Sequence, residues 1–257
     1  MALIRRQLFV RRHVQYSLLR KSTRADSMFD GQLENWNKDE KVTSHNHGDS
    51  SSPVSILYLN ASHGPKSLIA QSMQEFWPQL SFPYELQERN LLQSKLIPYG
   101  LDHVTAKMRL IHNEGTPDDK ALFQPVLDMA DELNRTDILV IGTPMWNFSV
   151  PYILKQYIDI SIQPGINFLE KPLRPVTSGK SLVIVTSCGG TYRDGSRPDF
   201  LGPYLKDIFH MVGFERAFEV NIQGAAQKDR TKLLSSARLK LLEIAANLGE
   251  TNGRASS

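Results

Sequence analysis

From Val54 onward, strand-like runs alternate with stretches of helical periodicity, and this alternation restricts the fold more than any other feature of the chain. The runs are VSILYLN (54–60), YELQERNLL (84–92), DILVIGTP (137–144), SLVIVTS (181–187) and RAFEVNIQG (216–224). Helical patterns fall at 67–80, 101–115, 118–135, 151–163, 204–214 and 229–249. Pro151 stands near a first turn, where proline is tolerated, and Gly213 and Gly249 stand where helices close. Strands that are apolar on both faces must be covered on both faces, so the pattern predicts a parallel sheet between layers of helix. Right-handed crossovers then favour an α/β, doubly wound, five-stranded sheet of order 2-1-3-4-5 with helices on both faces.

In such sheets ligands bind beyond the carboxyl ends of the strands, where the strand order reverses. That point lies between the first and third strands. The loops at 60–67 and 144–150 are therefore expected to be neighbours, with 187–195 beside them.

Each loop carries a different chemistry. NASHGPKS has a single glycine, Gly64, which argues against both a dinucleotide GxGxxG turn and a Walker loop. It offers Ser62, Lys66, Ser67 and the start of a helix, whose unpaired N–H groups suit a phosphate. Ser67 would serve equally well as a simple N-cap. The second loop, PMWNF (144–148), is an unusual turn, since turns are mostly built from Gly, Asn, Asp and Ser. Met145, Trp146 and Phe148 supply a flat apolar surface and Asn147 a carboxamide, a combination suited to a flavin ring; a hydrophobic plug would use the same residues. In TSCGGTYRDGS, Ser187 can donate, Gly189 and Gly190 leave room for a close approach, and Tyr192 can cover an edge, although glycine pairs also mark flexible surface loops. Cys188 reads as a small filler at a strand end. Jointly the loops divide one ligand into a phosphate, a ring face and a ring edge.

Residues 1–53 read differently and stand apart from the domain at 54–257. MALIRRQLFVRRHVQYSLLRKSTRA holds seven basic residues and no acid, the composition of a mitochondrial or plastid transit peptide; a disordered basic tail or a misplaced start codon would look alike. Residues 26–53 are polar and end in serines, as linkers do, and His45 and His47 lack a fixed third ligand for a metal. Without the extension the protein would be expected in the cytoplasm. The whole net charge of +3 lies in residues 1–53, while 54–257 balance 21 basic against 21 acidic residues. No clustered basic footprint for nucleic acid and no apolar run of membrane-spanning length is present. One cysteine makes no internal disulfide, and no zinc-type CxxC pair occurs.

The stretches ILYLNASHGPKS, GTPMWNFSVPYILKQYID, PGINF and VIVTSCGG, in that spatial logic and spread over roughly 54–250, resemble the FMN-dependent NADH-azoreductases within the NAD(P)H:quinone oxidoreductases. The resemblance implies a flavodoxin-like fold, a homodimer with active sites at its interface, and non-covalent FMN. It also implies two-electron transfer from NADH or NADPH, through flavin N5, to a quinone or azo compound, donor and acceptor using the same space in turn. By position, Ser62, Pro65, Lys66 and Ser67 fall in the phosphate loop, Met145, Trp146, Asn147 and Phe148 against the ring, and Ser187, Cys188, Gly189 and Gly190 in the third loop. Phe168, and at the third loop's edge Tyr192, fall on the substrate side. The family often has Tyr where this chain has Trp146; its phosphate loop is longer, and Pro65 here offers no N–H. No acid, base or metal is implied, because the cofactor carries the chemistry. A flavodoxin-like electron carrier is the competing reading, though the neutral domain lacks an acidic docking face. A phosphodiesterase activity on acyl-carrier protein finds no hydrolytic residue set.

Overall fold

A computed structural model of the protein describes residues 52–192 and 199–252; most of the predicted extension, residues 1–51, lies outside the described residues. In chain order the elements are β1 (Val54–Asn60), α1 (Leu68–Phe76), β2 (Tyr84–Asn90), α2 (Leu101–Ile111), α3 (Pro117–Arg135), β3 (Ile138–Pro144), α4 (Tyr152–Ser161), β4 (Phe168–Glu170), β5 (Leu173–Pro175), β6 (Ser181–Cys188), α5 (Leu201–Met211), β7 (Arg216–Gln223) and α6 (Arg230–Asn252). Five parallel strands form one sheet of order β2-β1-β3-β6-β7, which is the predicted doubly wound order with β6 and β7 as its fourth and fifth strands.

The period of two along the central strands sorts side chains into two cores. Leu57, Leu59, Leu139, Ile141, Leu182 and Ile184 face α2, α3, α4 and α5. Ile56, Tyr58, Ile138, Val140, Val183 and Val185 face α1 and α6. These strands read as unbroken apolar runs because both of their faces are covered. At the edge, β2 keeps Glu85, Leu86, Gln87 and Glu88 exposed, a mixed pattern that discourages further strand addition.

Several features differ from expectation. Helix α5 begins at Leu201 instead of 204, and α6 runs through Gly249, expected to close it, as far as Asn252. The first helix stops at Phe76, and Trp77–Gln79 tighten into a 3-10 turn around Pro78, which has no N–H to continue the ladder. The β4–β5 hairpin was not foreseen: its three-residue strands lie in a segment punctuated by Pro164, Pro172 and Pro175, too short for alternation to be legible.

Buried charges fasten the outer elements. Glu132 of α3 accepts from Gln87 Nε2 at 2.6 Å and from Arg89 Nη2 at 2.9 Å on both carboxylate oxygens, pinning edge strand β2. The Tyr157 hydroxyl lies 3.4 Å from the same carboxylate, and the Arg89 guanidinium is 6.0 Å from the centre of the Tyr157 ring. In the same last turn of α3, Lys180 donates to the carbonyls of Leu133 and Asn134, both at 2.8 Å, capping the helix end with a cation. Burial draws the Lys180 ammonium down to about 8, partly opposed by Asp137 and Asp131.

Glu132→Ala leaves the Arg89 guanidinium uncompensated and is expected to cost about 3–5 kcal/mol in urea unfolding. A loss below about 1 kcal/mol would mean the pair behaves as a surface bridge. For Lys180 the folded pKa lies below the unfolded value near 10.4, so the unfolded chain binds the extra proton between the two. Its favourable contribution is complete above the unfolded value and is lost as pH falls through about 8. The stability of wild type relative to Lys180→Met should therefore rise between pH 8 and 10.5, by up to roughly 3 kcal/mol. A flat difference across that interval would contradict the burial of the charge.

Candidate functional site

The carboxyl ends of β1, β3 and β6 are held at one level by backbone hydrogen bonds. The Ala61 N–H donates to Gly142 O and the Met145 N–H to Ser187 O, both at 2.8 Å. The loops at 61–67 and 145–151 and the first residues of the β6–α5 loop, 189–192, consequently leave the sheet from one rim. The predicted remainder of the third loop, 193–195, lies outside the described residues, as do 196–198.

In the first loop, Ser62 is buried, and both its N–H and its hydroxyl donate to Asn60 Oδ1, at 2.9 and 2.6 Å. Asn60 Nδ2 in turn donates to Glu88 Oε1 at 2.8 Å. Ser62 therefore helps set the loop's path, with its hydroxyl proton directed to Asn60. Ser67 caps α1, its hydroxyl oxygen accepting the Ala70 N–H at 3.0 Å, which leaves the hydroxyl proton to donate outward. Pro65 and Lys66 are exposed beside it. Arg230, from the first turn of α6, donates to the Lys66 carbonyl and, at 3.0 Å, to Gln71 Oε1. Sequence reasoning passed over Arg230, because 164 residues separate it from Lys66 and an Arg on a closing helix looks like a solvated face. Asn60, quoted only as the end of a strand, was missed in the same way.

The second loop is a closed turn. Trp146 and Ser149 exchange two backbone hydrogen bonds of 3.0 Å, with Asn147 (φ 49°) and Phe148 (φ 66°) at the corners. Left-handed backbone at two successive positions is the type I′ arrangement; Asn tolerates it, whereas for Phe it is a strained choice. The Phe200 N–H donates to Phe148 O at 3.3 Å and helps hold it. The turn separates the two readings of this stretch. Met145 is half-buried against the core, so the plug description fits it, whereas Trp146 is 42% exposed and its indole is not core filler.

In the third loop the backbone approaches another part of the protein. The carbonyls of Cys188, Gly189 and Gly190 accept from the N–H groups of Gly224, Ala225 and Ala226, the shortest being Gly224 to Gly190 at 2.7 Å. A side chain at Gly190 would meet the Tyr192 ring, its Cβ lying 3.2 Å from the hydroxyl, so this glycine lets Tyr192 fold back. Tyr192 is anchored by its N–H to Gln223 Oε1 at 2.9 Å, and its ring meets that of Phe148 edge-on, centroids 6.1 Å apart. Ser187 is half-buried at the end of the β3–β6 ladder. Burial pushes the Cys188 thiol up, and its Sγ lies 3.3 Å from Gly190 O, so it stays a protonated, unreactive thiol at neutral pH.

Beside the turn opens a cavity of about 490 Å³, walled by Trp146, Asn147, Val150, Tyr152, Lys155 and Tyr204. Burial, with Asp159 nearby, holds the Tyr204 phenol up at about 12, so it is a neutral donor over the physiological range. Phe168 is not brought to this rim. The segment leading into it is fastened to the end of α3 by Asn134 Nδ2 donating to Ile166 O and Asn167 Nδ2 to Ala130 O, which puts β4 toward the amino ends of the strands. Among the described residues, no group of three or more His, Cys, Asp or Glu could hold a metal ion.

Comparison with known proteins identifies the family and the fold. The chain is similar to an FMN-dependent NADH:quinone oxidoreductase of Nitratidesulfovibrio vulgaris, 28% identical over 210 residues, covering 74% of this chain and 100% of that protein. To FMN-dependent NADH:quinone oxidoreductase 4 of Pseudomonas fluorescens it is 33% identical over 171 residues, 62% of this chain and 78% of the relative. Among solved structures, the FMN-dependent NADH-azoreductase from Bacillus anthracis in complex with FMN superposes with a TM-score of 0.67 at 20% identity, over 76% of this chain and 99% of that one. Residues 55–244, which include nearly the whole sheet and all three rim loops, match the family described by its flavodoxin-like fold, and the chain belongs to that family.

Proposed function

We propose that this chain is an FMN-dependent oxidoreductase that uses NADH or NADPH to reduce quinones and azo compounds. The observation that carries the reading is the meeting, on one rim, of a capped helix start flanked by Lys66 with an outward-facing Trp146 turn. The residues fit the cofactor. The first turn of α1, the Ser67 hydroxyl and Lys66 suit a phosphate; the indole of Trp146 and the amide of Asn147 suit the face and polar edge of a tricyclic ring. When bound, FMN supplies two-electron chemistry between the nicotinamide and the acceptor. The protein's part is to orient the ring and shield it. Trp146 and Tyr152 narrow the cavity, Tyr204 stands as a neutral donor at its wall, and Tyr192 leans on Phe148 at the edge of the turn. Phe168, far from its own rim, could reach a site only across the interface of the proposed homodimer. The Arg-rich, acid-free residues 1–25 support import into a mitochondrion or plastid, which a fluorescent fusion of residues 1–53 would reveal as organelle labelling rather than diffuse signal.

Purified protein should show the visible absorption bands of flavin and release FMN, one per chain, on denaturation. NADH consumption by the FMN-loaded protein should accelerate when a quinone is added; an unchanged rate would leave only the electron-carrier reading. Trp146→Ala should weaken FMN binding about 5- to 30-fold by flavin-fluorescence titration, while Trp146→Tyr should stay within about threefold of wild type. Equal affinity in all three proteins would remove Trp146 from the ring site. Cys188→Ala should keep at least about half of the quinone-reductase rate, in keeping with a raised thiol pKa; near-complete loss in folded protein would assign the thiol a role in the reaction.

A further inference from the structure

We propose that Arg230 is part of the monophosphate end of the site, bracing the short β1–α1 loop and setting a second cation beside Lys66; the inference rests on the FMN reading above. The loop is poor in donors of its own. Pro65 has no N–H and the Ser62 hydroxyl is committed to Asn60, while Ser67, whose oxygen caps α1, keeps a single hydroxyl proton to donate. A monophosphate carries nearly two negative charges at neutral pH, and Lys66 alone is an exposed, flexible counter-charge.

Arg230 answers that shortage from the other end of the chain. Its Nη2 donates both to the Lys66 carbonyl and to Gln71 Oε1, so one guanidinium spans the residue before the cap and the first full turn of α1. Both contacts use Nη2, and neither draws on the remaining N–H groups of the planar fork. The arginine's backbone is well held. Asp229 accepts the Thr231 N–H at 2.8 Å on its carboxylate and the Leu233 N–H at 3.1 Å on its carbonyl, so the nearest acid is engaged at the start of α6. The turn before it is anchored in turn, because Gly224, Ala225 and Ala226 are hydrogen-bonded to the third loop. Arg230 thus ties the phosphate end to the same scaffold that carries the ring edge.

The test compares FMN with riboflavin, which has the ring but no phosphate. Dissociation constants would be measured on the full chain by flavin-fluorescence quenching at two ionic strengths, for wild type, Arg230→Gln and Arg230→Lys, with urea midpoints to verify folding. Arg230→Gln should weaken FMN about 10- to 100-fold and flatten its salt dependence, leaving riboflavin within about twofold. Arg230→Lys keeps the charge but not the fork, and should weaken FMN by roughly 3- to 10-fold; it carries the comparison if the Gln variant does not fold. Equal losses for both flavins, or no loss for either, would overturn the assignment of Arg230 while leaving the FMN reading intact. Wild-type protein that binds neither flavin would remove both.

Discussion

Everything at the rim depends on the level at which three strands end. In a parallel sheet the hydrogen-bond ladder fixes the relative height of neighbouring strands, and here the ladder continues one step past the strands, from Ala61 to Gly142 and from Met145 to Ser187. A slip of one residue in β1 would exchange the two cores, sending Leu57 and Leu59 where Ile56 and Tyr58 belong. Hydrophobic sorting and loop alignment are therefore one constraint. The burial that holds the sheet together also decides which loop residues become neighbours.

Some buried positions do more than pack. Glu132 and Lys180 are charges placed under helices, and each is satisfied by partners from a different element. Burying a charge is unfavourable unless such partners are present, so these residues contribute little net attraction but penalise any arrangement that separates β2 or β6 from α3. Glu132 acts at the edge of the sheet, where the apolar contacts of β2 are fewest, and Lys180 at the start of the interior strand β6.

The central strands could be read from the sequence because burial on both faces leaves uninterrupted runs such as ILVIG and SLVIV, and their order followed from handedness and the spacing of the helices. The β4–β5 hairpin could not, since three residues between prolines carry no periodicity. At the site, residue type was legible but state was not. Nothing in PMWNF says that Met145 packs against the core while Trp146 stays outside, or that the backbone turns left-handed at Asn147 and Phe148. Ser62 and Ser67 look alike as donors, yet one hydroxyl is already committed and the other keeps its proton. Arg230 reaches the first loop only through the closing of the whole fold.

The turn at Trp146 closes on itself through its own pair of backbone hydrogen bonds, so its shape owes little to the indole it displays. The display position is thereby uncoupled from the scaffold: evolution can exchange one aromatic for another there without repacking anything behind it. A change of aromatic here would alter the width of the cavity beside the turn and leave the sheet beneath it as it is.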